Sequence, residues 1–446
     1  MKLRYLAIAA ACAAISGQAS ALTVAQSQGA QLKLFISGSS ALQKVIEGVL
    51  TQNCGADKTQ FKSLATSAAG PTDTTNGNSH NIYSCTLTGS DFGAANVGKT
   101  IMLVKREAGG SAQGVFPVAL NTAIAFMNVA TCSDTTLTCT GTTLVKPDAG
   151  VSDLEPVAFN SAVNRPTAFA GLTVNNAQFD GGVPSAVAEQ IFALVVNNTL
   201  YADLQADQGV GTGVPTVSSA AFASLYSPGY GQLGLGWTPL LKTGNNQSQI
   251  NICSRAIGSG TRATAQVQFL QSPNNIVPQS FANSGDNTAG AVKGGNGAGN
   301  FFLSEESSSG NVVACVNAAN ANAAYSIGMV SADRDLTGTG ANFVKLDNQT
   351  PGRLAAKDGN YPWVFESFYQ VNKSATNLAI AKAFGAAFAL PANIAAIPVA
   401  AQNGVMATPE NCSGGIYSDW SSAAELAFCS RVSRNQDSRT PLVFIK

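Results

Sequence analysis

Charge is what this chain has least of. Its 446 residues include 25 basic and 25 acidic side chains, 11% in all, for a formal net charge of zero. No basic stripe stands out, which excludes nucleic-acid binding and a polybasic membrane patch. Histidine occurs once, at His80 in Asn76-Gly-Asn-Ser-His-Asn81, where it reads as a solvated loop residue. A single histidine in a loop supplies no metal-ligand cluster. Long apolar runs are missing too. The run at 5–15 is too short to span a membrane, and no later segment qualifies.

What is present fits an exported protein. Lys2 and Arg4 precede the 5–15 run, and Ala19-Ser20-Ala21 supplies a small-x-small cleavage signal. Residues 1–21 therefore read as a secretory signal peptide, cut before Leu22. That sets the expected location as the periplasm or the cell exterior. Glycine is abundant at 44 residues, and the loops are rich in Ser, Thr, Asn and Ala, giving a neutral polar surface. A chain of this length is too long for one ordinary core and implies two lobes.

Of nine cysteines, Cys12 goes with the signal. The remaining eight, Cys54, Cys85, Cys132, Cys139, Cys253, Cys315, Cys412 and Cys429, are an even set. In an exported chain this favours disulfides over metal ligands. Eight cysteines allow roughly a hundred connectivities. Nearest-neighbour pairing gives 54–85, 132–139, 253–315 and 412–429, and the third would brace the strand that carries Arg255.

Strands alternate with helices along the chain, indicating α/β layers around largely parallel sheets. Residues 31–36 read as a strand, Ser37-Gly-Ser-Ser40 as a turn, and Leu42, Val45, Ile46, Val49 and Leu50 as the apolar face of a helix. Ser at such a helix start is also a favoured plain N-cap. Residues 51–99, bracketed by Cys54 and Cys85, read as a disulfide-tied surface insertion. The strand at 100–105 leads to Gly109-Gly110-Ser111. Another short strand ends on Ser152-Asp153, with Pro156 blocking continuation. The run at 191–197 suits a strand buried on both faces. Residues 271–300 read as a surface loop. Residues 361–371 alternate apolar and polar side chains, as a strand returning to the first lobe would, and 375–390 form a helix stopped by Pro391.

The most informative stretch is Cys253-Ser-Arg-Ala-Ile-Gly-Ser-Gly-Thr261. It reads as a strand, a glycine turn and a helix start, where free backbone N–H groups and the helix dipole favour an anion. Arg255 adds a planar fork suited to two oxygens of a carboxylate or phosphate. Four strand-end turns therefore stand out, at Ser39-Ser40, Gly110-Ser111, Ser152-Asp153 and Arg255 to Thr261. In open α/β sheets such turns collect at one cleft. Asp153 would repel a bare oxyanion, but an ionised carboxylate can accept a proton from HPO4²⁻, a proton that sulfate lacks.

In this order and spacing, the four pieces resemble the phosphate-binding proteins of bacterial ABC transporters, of the type II periplasmic-binding-protein superfamily. Ile36-Ser-Gly-Ser-Ser-Ala-Leu-Gln43 resembles that family's first loop, Gly110-Ser111 its serine-glycine turn and Val151-Ser-Asp153 its serine-aspartate element. Arg255-Ala-Ile-Gly-Ser-Gly-Thr261 resembles its arginine-x-aspartate-glycine-serine-glycine-threonine signature. The likeness spans roughly 32–390 with interruptions. It implies a two-lobed fold closing over its ligand. The first lobe would be discontinuous, 22–168 and 355–446 with the insertion near 51–99, and the second would be 169–354. It implies an oxyanion site of Ser40, Ala41, Ser111, Asp153, Arg255, Ser259, Gly260 and Thr261. It also implies delivery of phosphate to an ABC permease, with no cofactor and no catalysis. Ile257 departs from the pattern, standing where the family has an aspartate that orients the arginine, so another oxyanion stays open.

Two other functions are compatible with the residues. A secreted surface or matrix protein could reuse the binding fold. A secreted phosphatase is the second, but Gly109-Gly-Ser-Ala-Gln113 fails the Gly-x-Ser-x-Gly elbow at Gln113, and no metal-ligand cluster accompanies it.

Overall fold

The computed structural model describes residues 21–63, 80–182, 184–227, 235–243, 249–270, 301–415 and 417–445. The expected signal peptide, except Ala21, and the 271–300 loop lie outside them. The fold is α/β, as expected. Eleven strands run through one mixed sheet: β1 Leu32–Gly38, β2 Thr59–Ser63, β3 His80–Thr86, β4 Thr100–Arg106, β5 Thr138–Cys139, β6 Ala149–Ser152, β7 Ser185–Asn197, β8 Ile250–Arg255, β9 Phe301–Glu306, β10 Ile327–Ser331 and β11 Val364–Val371. Their spatial order is β9-β8-β10-β7-β11-β6-β1-β4-β3-β2-β5. Two short strands, Ala341–Phe343 and Val405–Met406, also pair with β7.

The sheet contains two parallel groups. In one, β1 pairs in parallel with β4 and β6. In the other, β8 pairs in parallel with β9 and β10. Parallel neighbours need crossover connections, and the sequence supplies helices for them. α1 Gln43–Asn53 follows β1, α2 Ser111–Ala119 follows β4, α3 Gly260–Leu270 follows β8 and α4 Ser309–Ala318 follows β9. Two antiparallel strands join the groups. The first half of β7 pairs with β11, and its second half pairs with β10. This makes the two lobes, with β7 and β11 crossing between them.

Burial follows the apolar pattern. Leu42, Val45, Ile46, Val49 and Leu50 are all at most 1% exposed, so the face legible in the sequence is the face that packs. β7 is buried from Ala186 to Asn197, because it is covered on both sides. Each fully buried Val, Leu or Ile contributes about 1.5–3 kcal/mol. The helix Leu378–Phe388 lays Phe384 and Phe388 against Tyr369 of β11.

The disulfides are Cys54–Cys85, Cys132–Cys139, Cys253–Cys315 and Cys412–Cys429, the nearest-neighbour set. Cys253–Cys315 ties β8 to α4 across a Cα–Cα distance of 6.0 Å.

Two expectations about 51–99 need correction. The segment is more than a surface insertion, since β2 and β3 within it are strands of the main sheet. His80 is not a solvated loop residue. It opens β3 opposite Arg106 and is 0% exposed. Its polar neighbours looked like loop chemistry, but pairing with β4 decides the conformation. Burial, with Arg106 and Lys105 nearby, brings its pKa down to about 3, so it is neutral at ordinary pH.

The C-terminal residues form a strap rather than a tail. Glu366 on β11 accepts from the Ser433 hydroxyl, and from the N–H groups of Arg434 at 2.9 Å and Gln436 at 2.7 Å. Ser438 then reaches Glu155 through both its N–H and its hydroxyl.

Candidate oxyanion site

The four turns singled out above all leave the carboxyl ends of parallel strands: β1 into Ser39, β4 towards Ser111, β6 into Asp153 and β8 into the 256–261 turn. This is where an open α/β sheet collects ligand contacts. The fold brings them together. The Ser39 N–H donates to Val151 O at 3.0 Å. The Ser39 hydroxyl donates to Asp153, and the Asp153 N–H donates to the Ser111 hydroxyl at 3.2 Å. From the turn after β8, Gly258 O accepts from the Ala112 N–H at 2.9 Å. That approach requires glycine. Gly258 has φ +96° and Gly110 φ +66°, and a Cβ on Gly110 would lie 2.9 Å from Ser259 Cα. Side chains rarely adopt such angles.

Gly260 completes the contact. An added Cβ there would stand 2.4 Å from both Asp153 Oδ2 and Ser111 Oγ. Ser111, Asp153, Ser259 and Thr261 are all at most 5% exposed. The N–H groups of Gly260 and Thr261 start α3 and have no acceptor among the described residues, as helix starts leave them. The Ser259 hydroxyl is buried without a partner.

Ser39 carries the side-chain bond to Asp153. Ser39 also accepts from the Ala41 N–H at 3.0 Å, so that donor is occupied. Ser40 is half-buried, and its carbonyl accepts from the Gln43 N–H at 3.3 Å.

Arg255 is 2% exposed and is held by neutral acceptors. Its Nε donates to Glu306 O at 3.2 Å, and its two terminal nitrogens donate to Ser309 Oγ and Ser307 O, both at 3.0 Å. Ile257 is 38% exposed and takes no part. The end of β9 and the start of α4 thus orient the arginine, and the Cys253–Cys315 bond holds α4 to the arginine's own strand.

Two charged residues, Lys105 and Glu107, were missed in the sequence. Lys105 ends β4 fully buried, donating to Gly38 O and Arg106 O, both at 2.9 Å. Burial brings its pKa down to about 8, opposed by Glu107 and Asp153. Glu107 is pushed up to about 7, chiefly by burial and against Lys105 and Arg334. Burial also raises Asp153, against the pull of the Ser39 hydroxyl, Arg255, Ser111 and Lys105. A signal existed: Lys105-Arg-Glu107 is a charge triplet at a strand end in a chain where charge is scarce.

Among the described residues, neither Arg255 nor Lys105 has an ion-pair partner. Two buried cations bonded to neutral oxygens are costly to desolvate and suit a site that receives an anion. No group of three or more His, Cys, Asp or Glu among these residues could hold a metal ion.

Glu107 gives a test of this electrostatic reading. Its folded pKa of about 7 lies above the ordinary 4.5, so the folded state binds the proton more tightly. The parent protein therefore gains stability from this group as pH falls through 7 towards 4.5. Glu107→Gln removes the penalty of the buried charge. The variant is expected to be more stable at pH 8 by about 3 kcal/mol, with the difference closing by pH 4. Denaturant melts at the two pH values check it, and equal stability at pH 8 overturns it.

No protein-family model matches the chain, and no curated protein matches it. Among solved structures, it is similar to a putative phosphate ABC transporter substrate-binding protein with bound phosphate from Clostridium perfringens. That likeness has 13% identity, a TM-score of 0.43, and covers 83% of this chain and 99% of that one. PstS from Borrelia burgdorferi is similar at 10% identity, TM-score 0.34, covering 80% and 93%. An ABC-type phosphate transport receptor from Vibrio cholerae is similar at 10% identity, TM-score 0.36, covering 79% and 93%.

Proposed function

We propose that this protein is an exported solute-binding protein that clasps an inorganic oxyanion, phosphate first, between its two lobes. The observation that carries the reading is the pair of buried cations, Arg255 and Lys105, lying without ion-pair partners among the described residues and beside four converging strand-end turns. An incoming oxyanion would meet Arg255, the Ser259 hydroxyl and the open amides of Gly260 and Thr261. Interactions inside such a dry site are stronger than in water. Asp153 supports phosphate over sulfate, because a carboxylate accepts the proton of HPO4²⁻ and repels an unprotonated dianion. Four disulfides support an oxidising compartment. Delivery to an ABC permease for uptake is the finer part of the proposal, and it rests on the motif resemblance.

Calorimetry on the purified protein is the test. Phosphate is expected to bind with Kd near or below 1 μM, about 8 kcal/mol, with sulfate far weaker. Arg255→Ala is expected to weaken phosphate by about a hundredfold or more, since truncating one partner of a buried charge pair costs about 2–5 kcal/mol. Absence of binding to phosphate, arsenate, sulfate and molybdate alike would reject the reading.

A further inference from the structure

A fifth strand end opens on the edge that carries Arg255. β10 runs parallel to β8, with Cys253 opposite Gly328, so β8 ends at Arg255 and β10 at Ser331 on the same side. The turn after β10, closed by the Arg334 N–H on Ser331 O at 3.3 Å, brings Arg334 to the start of α4. A Cβ added to Gly310 would stand 2.9 Å from Arg334 Nη2. The preceding residue, Ser309, accepts from the Arg255 guanidinium at 3.0 Å. Two guanidinium groups therefore lie against one helical turn, at the end of α4 where the helix dipole is positive. Burial, opposed by Asp153, brings the Arg255 pKa down to about 10, and the charge of Arg334 contributes to the fall. Arg334 is half-buried, and its side chain makes neither a hydrogen bond nor an ion pair among the described residues. The carboxylates that feel its charge, Glu107 and Asp333, leave Oε1 and Oδ1 respectively buried without a partner.

We propose that Arg334 is a second arginine of the oxyanion site, a binding residue that grips the anion together with Arg255. The inference rests on the oxyanion reading above. Two like charges side by side are unfavourable until an anion lies between them, and the two arginines share one turn of α4. The donors left over fit such a ligand. A guanidinium has five N–H donors. Arg255 spends three of them on Glu306 O, Ser309 Oγ and Ser307 O, which leaves one on each terminal nitrogen. Arg334 adds a complete planar fork, able to take two oxygens at once. The open amides of Gly260 and Thr261 and the Ser259 hydroxyl then serve the oxygens that the arginines do not reach.

The experiment is calorimetry with inorganic phosphate on the purified protein, Arg334→Gln and Arg334→Lys beside the parent, together with urea unfolding of the ligand-free proteins. Arg334→Gln is expected to weaken phosphate about tenfold or more, as loss of a hydrogen-bonded charge does. Its ligand-free stability is expected to match the parent's, since no bond within the folded chain is removed. Arg334→Lys keeps the charge without the fork and is expected to recover part of the loss. Where the parent binds phosphate, affinity within about twofold of it in Arg334→Gln overturns the role of Arg334 and leaves the oxyanion reading standing. A loss of affinity accompanied by an equal loss of ligand-free stability overturns it too, because the residue would then act through the fold. A parent that binds no oxyanion removes the oxyanion reading itself, and this inference with it.

Discussion

Gly260→Ala is expected to abolish tight oxyanion binding while leaving the chain folded. Gly260 opens α3 without a positive φ, so alanine suits the backbone there and would even favour the helix slightly. The obstacle lies on the turns after β4 and β6. The new methyl would stand 2.4 Å from both Asp153 Oδ2 and Ser111 Oγ. One side of this contact must give way, and the Ala112-to-Gly258 backbone bond is lost with it. A displacement of this kind in a pre-formed site is expected to cost about a hundredfold in affinity. Calorimetry measures the loss, and small-angle scattering should show a larger radius in the variant. Phosphate binding within threefold of the parent, with unchanged radius, would mean that the Gly260 contact does not control closure.

What made this site legible was locality. A β-strand, a Gly/Ser turn and the apolar face of a helix all lie within about fifteen residues of each other. The turns at Ser39, Ser111, Asp153 and Arg255 could each be read without knowing their neighbours, and parallel pairing then placed them at one edge. The parts that stayed hidden depend on distant contacts. Ser309 lies 54 residues beyond Arg255 and is bound to it only because β8 and β9 are neighbours. The burial of Lys105 was hidden, although its charge triplet was visible, because it comes from β1 on one side and β3 on the other. His80 was misread for the same reason: the strand that encloses it is β4. The holding of Arg255 was hidden in the same way, since carbonyls from 306 and 307 and the Ser309 hydroxyl do it, while Ile257 stands aside.

The placement of Ser111 depends on a three-glycine contact, and Gly150→Ala is expected to be the most damaging substitution in the protein. Gly38 on β1, Gly114 on α2 and Gly150 on β6 bring three backbones into direct contact. A Cβ on Gly150 would lie 1.8 Å from Gly114 O and 2.8 Å from its Cα, while one on Gly114 would lie 2.3 Å from Val151 O. These obstacles are backbone atoms, which cannot swing aside as a side chain would. Gln370 also donates to Gly114 O at 2.8 Å, and the Ser37 hydroxyl to Gln113 O at 2.8 Å, so lifting α2 breaks buried hydrogen bonds as well. Overpacking alone costs about 1–3 kcal/mol, and each buried polar group left unpaired adds about 1–3 kcal/mol. A loss of about 4 kcal/mol or more follows, a large part of the 5–15 kcal/mol that holds a typical domain. Gly29→Ala is the control. Its added Cβ meets nothing nearer than 3.4 Å, and its stability should move by no more than about 0.5 kcal/mol. Urea unfolding of the two variants beside the parent decides the matter. Equal midpoints for Gly150→Ala and Gly29→Ala would show that the sheet and α2 can separate at no cost, and that Ser111 is positioned by something other than this contact.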